Sequence, residues 1–171
     1  QFAIKSAMID SLLTPSHPQQ NNSNSELTVA RQPSIALSVV VPIYNEVETI
    51  PHLVTQITDV LRRMDIAYEL ICVDDGSTDG SVPQLKQIAA ERDDLRVVLL
   101  RRNYGQSAAM SAGFHQAKGQ VIVTLDGDLQ NEPADIATVY HKLLEGYDLV
   151  SGWRKERQDN AVTRLLPSKI A

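Results

Sequence analysis

The sequence predicts an α/β protein with a mainly parallel sheet and helices on both faces. Two observations carry this. Short, apolar, β-branched runs alternate five times with segments of other character over residues 37–151, four of them helical in spacing. Such alternation packs parallel strands through right-handed helical crossovers. In addition, each run is followed directly by a cluster of polar or glycine residues, the usual place for ligands in open α/β sheets.

The elements follow in order. Leu37 to Pro42 is a β-branched run closed by a proline, hence a strand. Glu46 to Met64 carries Ile50, Leu53, Val54, Ile57, Val60 and Leu61 at helical spacing. Tyr68 to Val73 is the second strand, followed by the turn Asp74-Asp75-Gly76-Ser77. Val82 to Arg92 reads as a helix, with Thr78 or Asp79 to cap it. Leu95 to Leu100 is a strand, and Ser107 to Ala117 is a helix of small residues ended by Lys118-Gly119. Val121 to Leu125 is the fourth strand. Pro133 to Glu145 is a helix with proline in its first turn and Gly146 past its end. Asp148 to Ser151 is a fifth, short strand.

Residues 1–36 read as an N-terminal tail and polar linker. The stretch from Pro15 to Ser25 is too polar to build a core, and Gln1 to Leu13 is either a short helix docking elsewhere or a tail. The folded unit is expected over 37–171. The longest apolar runs fall short of the roughly 20 residues that span a bilayer, and the mixed segment Phe2 to Leu13 has no signal-peptide pattern.

Composition excludes some classes. The net charge of -5 argues against a nucleic-acid binder. One cysteine, Cys72 within an apolar run, excludes a disulfide framework and reads as a packed core thiol. The charge is uneven. Five basic against two acidic residues give Ser151 to Ala171 a net of +3, which leaves -8 on residues 1–150. A basic end on an acidic body is either a solvated face or a surface for phosphate or an anionic membrane.

The chemistry centres on Asp126-Gly127-Asp128, directly after the strand Val121 to Leu125. Two carboxylates so close raise each other's pKa or recruit a counter-charge. A hard divalent cation, Mg or Mn, prefers such oxygen ligands and completes its shell with substrate phosphates. Gln130 offers a further neutral oxygen. The plain structural alternative is a capped turn. Asp75 is placed either to accept a hydrogen bond from a nucleobase or to bond local amides. Glu46 near a helix N-terminus is favoured by the helix dipole alone. Arg154, after Gly152-Trp153, is either a plain surface arginine or placed to neutralise phosphate opposite the metal. The chain contains no G-x-G-x-x-G and no P-loop lysine. His17, His52, His115 and His141 have no ligand spacing.

Four ordered motifs then meet a known pattern: Val41 to Glu46, Val73 to Gly80, Arg102 to Gln106, and Leu125 to Gln130. With them, residues 37–171 resemble the family 2 glycosyltransferases of GT-A (Rossmann-like) fold. Within these they look most like the polyprenyl-phosphate glycosyltransferases, which include dolichol-phosphate mannosyltransferases and bacterial bactoprenol glucosyltransferases. The resemblance implies that Pro42, Tyr44 and Glu46 line a nucleotide pocket and that Asp75 holds the base. It implies that Asp126, Asp128 and Gln130 surround the metal, and that Arg154 reaches the diphosphate. Arg164 and Ser168 resemble the pair that receives the lipid phosphate. Gly127 stands where the mannosyltransferases commonly have alanine, which fits the bacterial glucosyl branch.

The expected activity is inverting transfer of a hexose from a nucleotide-sugar, UDP-glucose first, to a polyprenyl phosphate at a membrane surface. The expected cofactor is Mg or Mn. The expected setting is the cytoplasmic side of a membrane, as the catalytic domain of a longer, membrane-attached enzyme, with homo-oligomerisation open. GDP-mannose is the competing donor, and a non-catalytic nucleotide-sugar-binding module is the competing class. A phosphatase of the haloacid dehalogenase type is disfavoured, because its Asp-x-Asp lies on the first strand and this one follows the fourth.

Overall fold

The chain is described by a computed structural model over residues 2–6, 34–127 and 132–152. Its strands are β1 (Phe2–Lys5), β2 (Leu37–Ile43), β3 (Tyr68–Asp74), β4 (Leu95–Leu99), β5 (Val121–Thr124) and β6 (Leu149–Ser151). Its helices are α1 (Ile50–Arg63), α2 (Ser81–Ala90), α3 (Gln106–Gln116) and α4 (Asp135–Leu144). The strands form one sheet in the order β4-β3-β2-β5-β1-β6. β2 pairs in parallel with both β3 and β5, and β3 with β4. The α/β, mainly parallel architecture read from the sequence is the one observed.

Alternation along the central strand sorts its side chains to two faces, as a pleat requires. Leu37, Val39, Val41 and Ile43 face a large core closed by Leu53, Ile57 and Leu61 of α1, Leu85 of α2, and Ile136 and Leu143 of α4. Val40 faces the other side, with Ile71, Val73, Ile122 and Ala109 of α3. Each of these large aliphatic side chains stabilises the fold by about 1.5–3 kcal/mol when fully buried. The small residues of α3 have a purpose. A Cβ on Gly113 would overlap Val40 Cγ1 and come within 3.1 Å of Val73 Cγ2, so glycine lets this helix lie close on the sheet. Cys72 is buried in the first core, and burial pushes its thiol up to about 12, which leaves it unreactive at neutral pH.

The first strand corrects the sequence expectation. Phe2–Lys5 is neither a docking helix nor a tail but a strand inside the sheet, antiparallel to both β5 and β6. Ala3 belongs to one core and Ile4 to the other, so the short segment plugs both faces. It also satisfies backbone groups that β5 would otherwise leave unpaired.

The start of α1 differs as well. Glu46 to Thr49 is a turn, and the helix begins at Ile50 with Pro51 in its first turn. Asn45 takes a positive φ of 54°, which breaks the helical path just before this turn, although Glu46 O already accepts the Ile50 amide at 3.1 Å. α2 starts after Gly80, at φ 105°, rather than on a Thr78 or Asp79 cap, although Asp79 Oδ1 does accept the Ser81 amide at 3.0 Å. Gly146 ends the α4 region as expected, at φ 118°.

Candidate active site

Four of the loops that follow strands β2, β3, β4 and β5 meet at one sheet edge. Between them lies a cleft of about 360 Å³ lined by Pro42, Ile43, Tyr44 and Glu46, by Asp75, by Asn103, Gly105 and Gln106, and by Asp126 and Gly127. The convergence expected from the strand ends is therefore present. Of the residues singled out in the sequence, Pro42, Tyr44, Glu46, Asp75 and Asp126 line this one space. Asp128, Gln130, Arg154, Arg164 and Ser168 lie outside the described residues.

The loops are held to one another by hydrogen bonds that begin at β3. Asp74 Oδ1 accepts the Gly76 and Ser77 amides at 3.1 and 3.0 Å, closing the turn. Asp75, only 3% exposed, reaches across to the loop after β4. Its Oδ1 accepts the Tyr104 amide and its Oδ2 the Gly105 amide, each at 2.8 Å. The amides that Asp75 binds are thus not the local ones of its own turn but those of the loop after β4.

The same turn grips the loop after β2. Ser77 Oγ accepts the Asn45 amide at 2.9 Å, and Asn45 Oδ1 accepts the Thr78 amide at 2.8 Å. Asp79 Oδ2 accepts the Val47 amide at 3.0 Å, while Ser81 Oγ accepts the Glu46 amide at 3.0 Å. Burial is the largest single influence on the Asp79 carboxyl and raises it. The hydrogen bonds from the Ser81 hydroxyl and from the Val47 and Ser81 amides outweigh that and hold it below its ordinary value.

The ring closes on the strand that carries the acidic pair. Gln106 Nε2 donates to Asp126 Oδ1 at 2.6 Å, joining the third loop to the fourth. Gly127 packs on the end of β2 so closely that a Cβ would sit 2.9 Å from the Pro42 carbonyl oxygen and 3.0 Å from Ile43 Cδ1. The Thr49 hydroxyl has one proton. The Glu46 carboxylate, at 2.9 Å, takes it in preference to Gly127 O at 3.4 Å. The fourth loop is thus held by packing on the end of β2 more than by that bond.

Sequence reasoning found the cleft walls but missed these fasteners: Asn45, Ser77, Asp79, Ser81 and Gln106. All except Ser81 stand inside the quoted motifs, which was the signal available. What each one does depends on loops twenty or more residues apart.

The oxygen-rich wall suits a hard divalent cation. Glu46 and Asp126 supply carboxylate donors, with no sulfur and no imidazole on the cleft wall. Among the described residues no cluster of three or more His, Cys, Asp or Glu is close enough to hold a metal by itself.

A parallel-centred sheet with an acidic cleft at its carboxyl edge is the architecture of the GT-A glycosyltransferases. Residues 38–170 match the family model described as "Glycosyl transferase family 2", and the chain belongs to that family. It is 44% identical over 139 residues to the undecaprenyl-phosphate 4-deoxy-4-formamido-L-arabinose transferase of Pseudomonas fluorescens (strain SBW25), covering 81% of this chain and 40% of that protein. With the enzyme of the same name from Yersinia pestis (strain Pestoides F) it shares 45% over 130 residues, or 75% of this chain and 40% of the other. The chain thus spans 40% of the length of these curated relatives.

Among solved structures it resembles the mannosyltransferase PcManGT of Pyrobaculum calidifontis in complex with GDP-Man and Mn2+. That likeness has a TM-score of 0.51 and 26% identity over 70% of this chain and 36% of that one. S. aureus TarS, at 24% identity and a TM-score of 0.50 over 65% of this chain and 20% of that one, shares the fold.

Proposed function

We propose that this protein transfers a sugar from a nucleotide-sugar donor to a polyprenyl phosphate, with inversion at the anomeric carbon. The observation that carries the reading is the single cleft in which Asp126, at the end of β5, faces the loop walls of Pro42, Tyr44, Glu46 and Asp75. Relatives at 44 and 45% identity are named for transfer to undecaprenyl phosphate, which supports the acceptor class.

In this reading Pro42, Tyr44 and Glu46 receive the nucleotide and Asp75 braces the base end. Asp126, with Asp128 and Gln130, would hold Mg or Mn, which supplies positive charge to the diphosphate. Arg154 faces the same phosphates, and Arg164 with Ser168 takes the lipid phosphate. A phosphate monoester has a second pKa near 6 and is largely ionised at neutral pH, so no strong general base is required. One of its oxygens bonds to the anomeric carbon. The bond from that carbon to the diphosphate breaks, and its electron pair leaves with the nucleoside diphosphate. Developing negative charge on the leaving group is what the site must stabilise.

UDP-glucose remains the sequence-based donor. The names of the relatives favour a nucleotide-linked 4-deoxy-4-formamido-L-arabinose as the second candidate, and the mannosyltransferase neighbour keeps GDP-mannose as the third. No helix among the described residues is long and apolar enough to cross a membrane. The reading places the reaction at the cytoplasmic face of a membrane, with the basic residues 151–171 toward the lipid headgroups.

The test is transfer of labelled sugar from each donor to undecaprenyl phosphate, with Mn2+ or with EDTA, by the full-length protein. Product that depends on Mn2+, and that falls at least about a hundredfold in Asp126→Ala and in Asp128→Ala, is the expected result. Unchanged product in Asp128→Ala would remove the metal assignment. Donor binding without transfer to any lipid phosphate would leave a binding module.

A further inference from the structure

Gln106 is the first residue of α3, and its position is fixed from behind. The preceding Gly105 has φ 95°, and its amide is held by Asp75 Oδ2 at 2.8 Å and by Asn103 Oδ1 at 3.0 Å. Tyr104 is held by the other Asp75 oxygen. A buried carboxylate therefore sets where the helix starts, and with it the point from which the Gln106 side chain enters the cleft. From there its amide donates to Asp126 Oδ1 at 2.6 Å, and both residues line the same wall.

An aspartate at a strand end has several rotamers, and only some turn an oxygen toward a bound diphosphate. A hydrogen bond to one oxygen removes that freedom. The amide is neutral, so it orients the carboxylate without supplying the positive charge that a cation would bring.

We infer that Gln106 is a positioning residue, which holds the Asp126 carboxylate in the orientation that takes a divalent cation together with a nucleoside diphosphate. The inference rests on the donor-site reading above. It also links the two ends of the cleft: Asp75 at the base end sets Gln106, and Gln106 sets the ligand at the phosphate end. Gln106 is exposed, so replacing it leaves the two cores intact.

The test compares the full chain with Gln106→Met, which keeps the length of the side chain but has no donor, and with Gln106→Ala. Mn2+ uptake is titrated by electron paramagnetic resonance in the presence of UDP or GDP. Binding of the corresponding nucleoside monophosphate is measured separately in EDTA. Both variants are expected to lose about tenfold or more in Mn2+ affinity, with nucleoside monophosphate binding and melting temperature unchanged. Unchanged Mn2+ affinity overturns the inference. So does an equal loss of nucleoside monophosphate binding, since Gln106 would then only support the loops. Wild-type protein that takes up no Mn2+ with either diphosphate overturns the donor reading itself, and this inference with it.

Discussion

Asp79 accepts the Val47 amide at 3.0 Å across 32 positions of sequence, and by that bond the turn after β3 holds the turn after β2. The same carboxylate also accepts the Ser81 hydroxyl at 2.6 Å, so one side chain serves two loops. Its folded pKa lies below the ordinary 3.8. A depressed carboxylate contributes stability that is present above its unfolded pKa and is lost as the pH falls through the folded value. The contribution of Asp79 should therefore persist at neutral pH and disappear below pH 3.8. Asp79→Asn should lower the melting temperature at pH 7, and the gap to wild type should narrow in melts run at pH 3. A gap of constant size at both pH values would mean that ionisation of Asp79 does not secure the loops.

Gly76 should tolerate no side chain. Its φ is 75°, and an added Cβ would lie 2.6 Å from Asn103 N and closer still to the Arg102 backbone. The left-handed conformation alone costs an L-residue about 1–2 kcal/mol. Gly76→Ala must also push the third loop outward, so its loss in chemical denaturation should exceed about 2 kcal/mol. Donor affinity should fall with it. A neutral Gly76→Ala would show that the two loops are not in close contact in solution.

At the opposite pole of the sheet, Glu69 is 5% exposed and acts as a hub. Its Oε1 accepts the Ser38 hydroxyl at 2.7 Å and the Lys118 amide at 2.6 Å. Arg96 Nη2 lies 3.2 Å from Oε2, though that oxygen has no well-formed hydrogen bond, so the Arg96 contact is mainly coulombic. Glu69→Ala strands these partners and should cost about 3 kcal/mol in denaturant titration. Glu69→Gln keeps one acceptor oxygen and should cost less. Equal losses in the two variants would assign the effect to charge rather than to hydrogen bonding.

The N-terminal strand can be tested by exchange. Ala3 is fully buried, so Ala3→Asp places a charge in the core and should destabilise by about 3 kcal/mol or more. Hydrogen exchange should then show the amides of β5 and β6 losing protection, while those of β3 keep theirs. Uniform loss across the sheet would mean that β1 is integral to global folding rather than a local closure.

The sheet was legible because its strands are short β-branched runs with turns between them. The cleft was legible for the same reason: Pro42, Tyr44, Asp75 and Asp126 stand at or just beyond the carboxyl ends of those runs. Two things were hidden. Phe2–Lys5 is only four residues long and has no periodicity, so nothing local marks it as a strand. The residues from Glu46 onward are helix-compatible, yet Asn45 turns the chain at φ 54°, and Asp79 and Ser81 of a separate loop hold the Val47 and Glu46 amides in that turn. Bonds between separate loops leave no pattern along a sequence.

The place of β1 also sets an order of events. The Phe2 amide meets the Thr124 hydroxyl 122 positions later, and β6 pairs with β1 alone among the described strands. During synthesis, β1 has to wait, unpaired, until more than a hundred further residues have emerged. Pairings this distant in sequence are slow to form. The parallel strands β2, β3 and β4 can pair while that wait lasts, which makes the cleft walls that follow them older, in the life of each molecule, than its acidic end at Asp126.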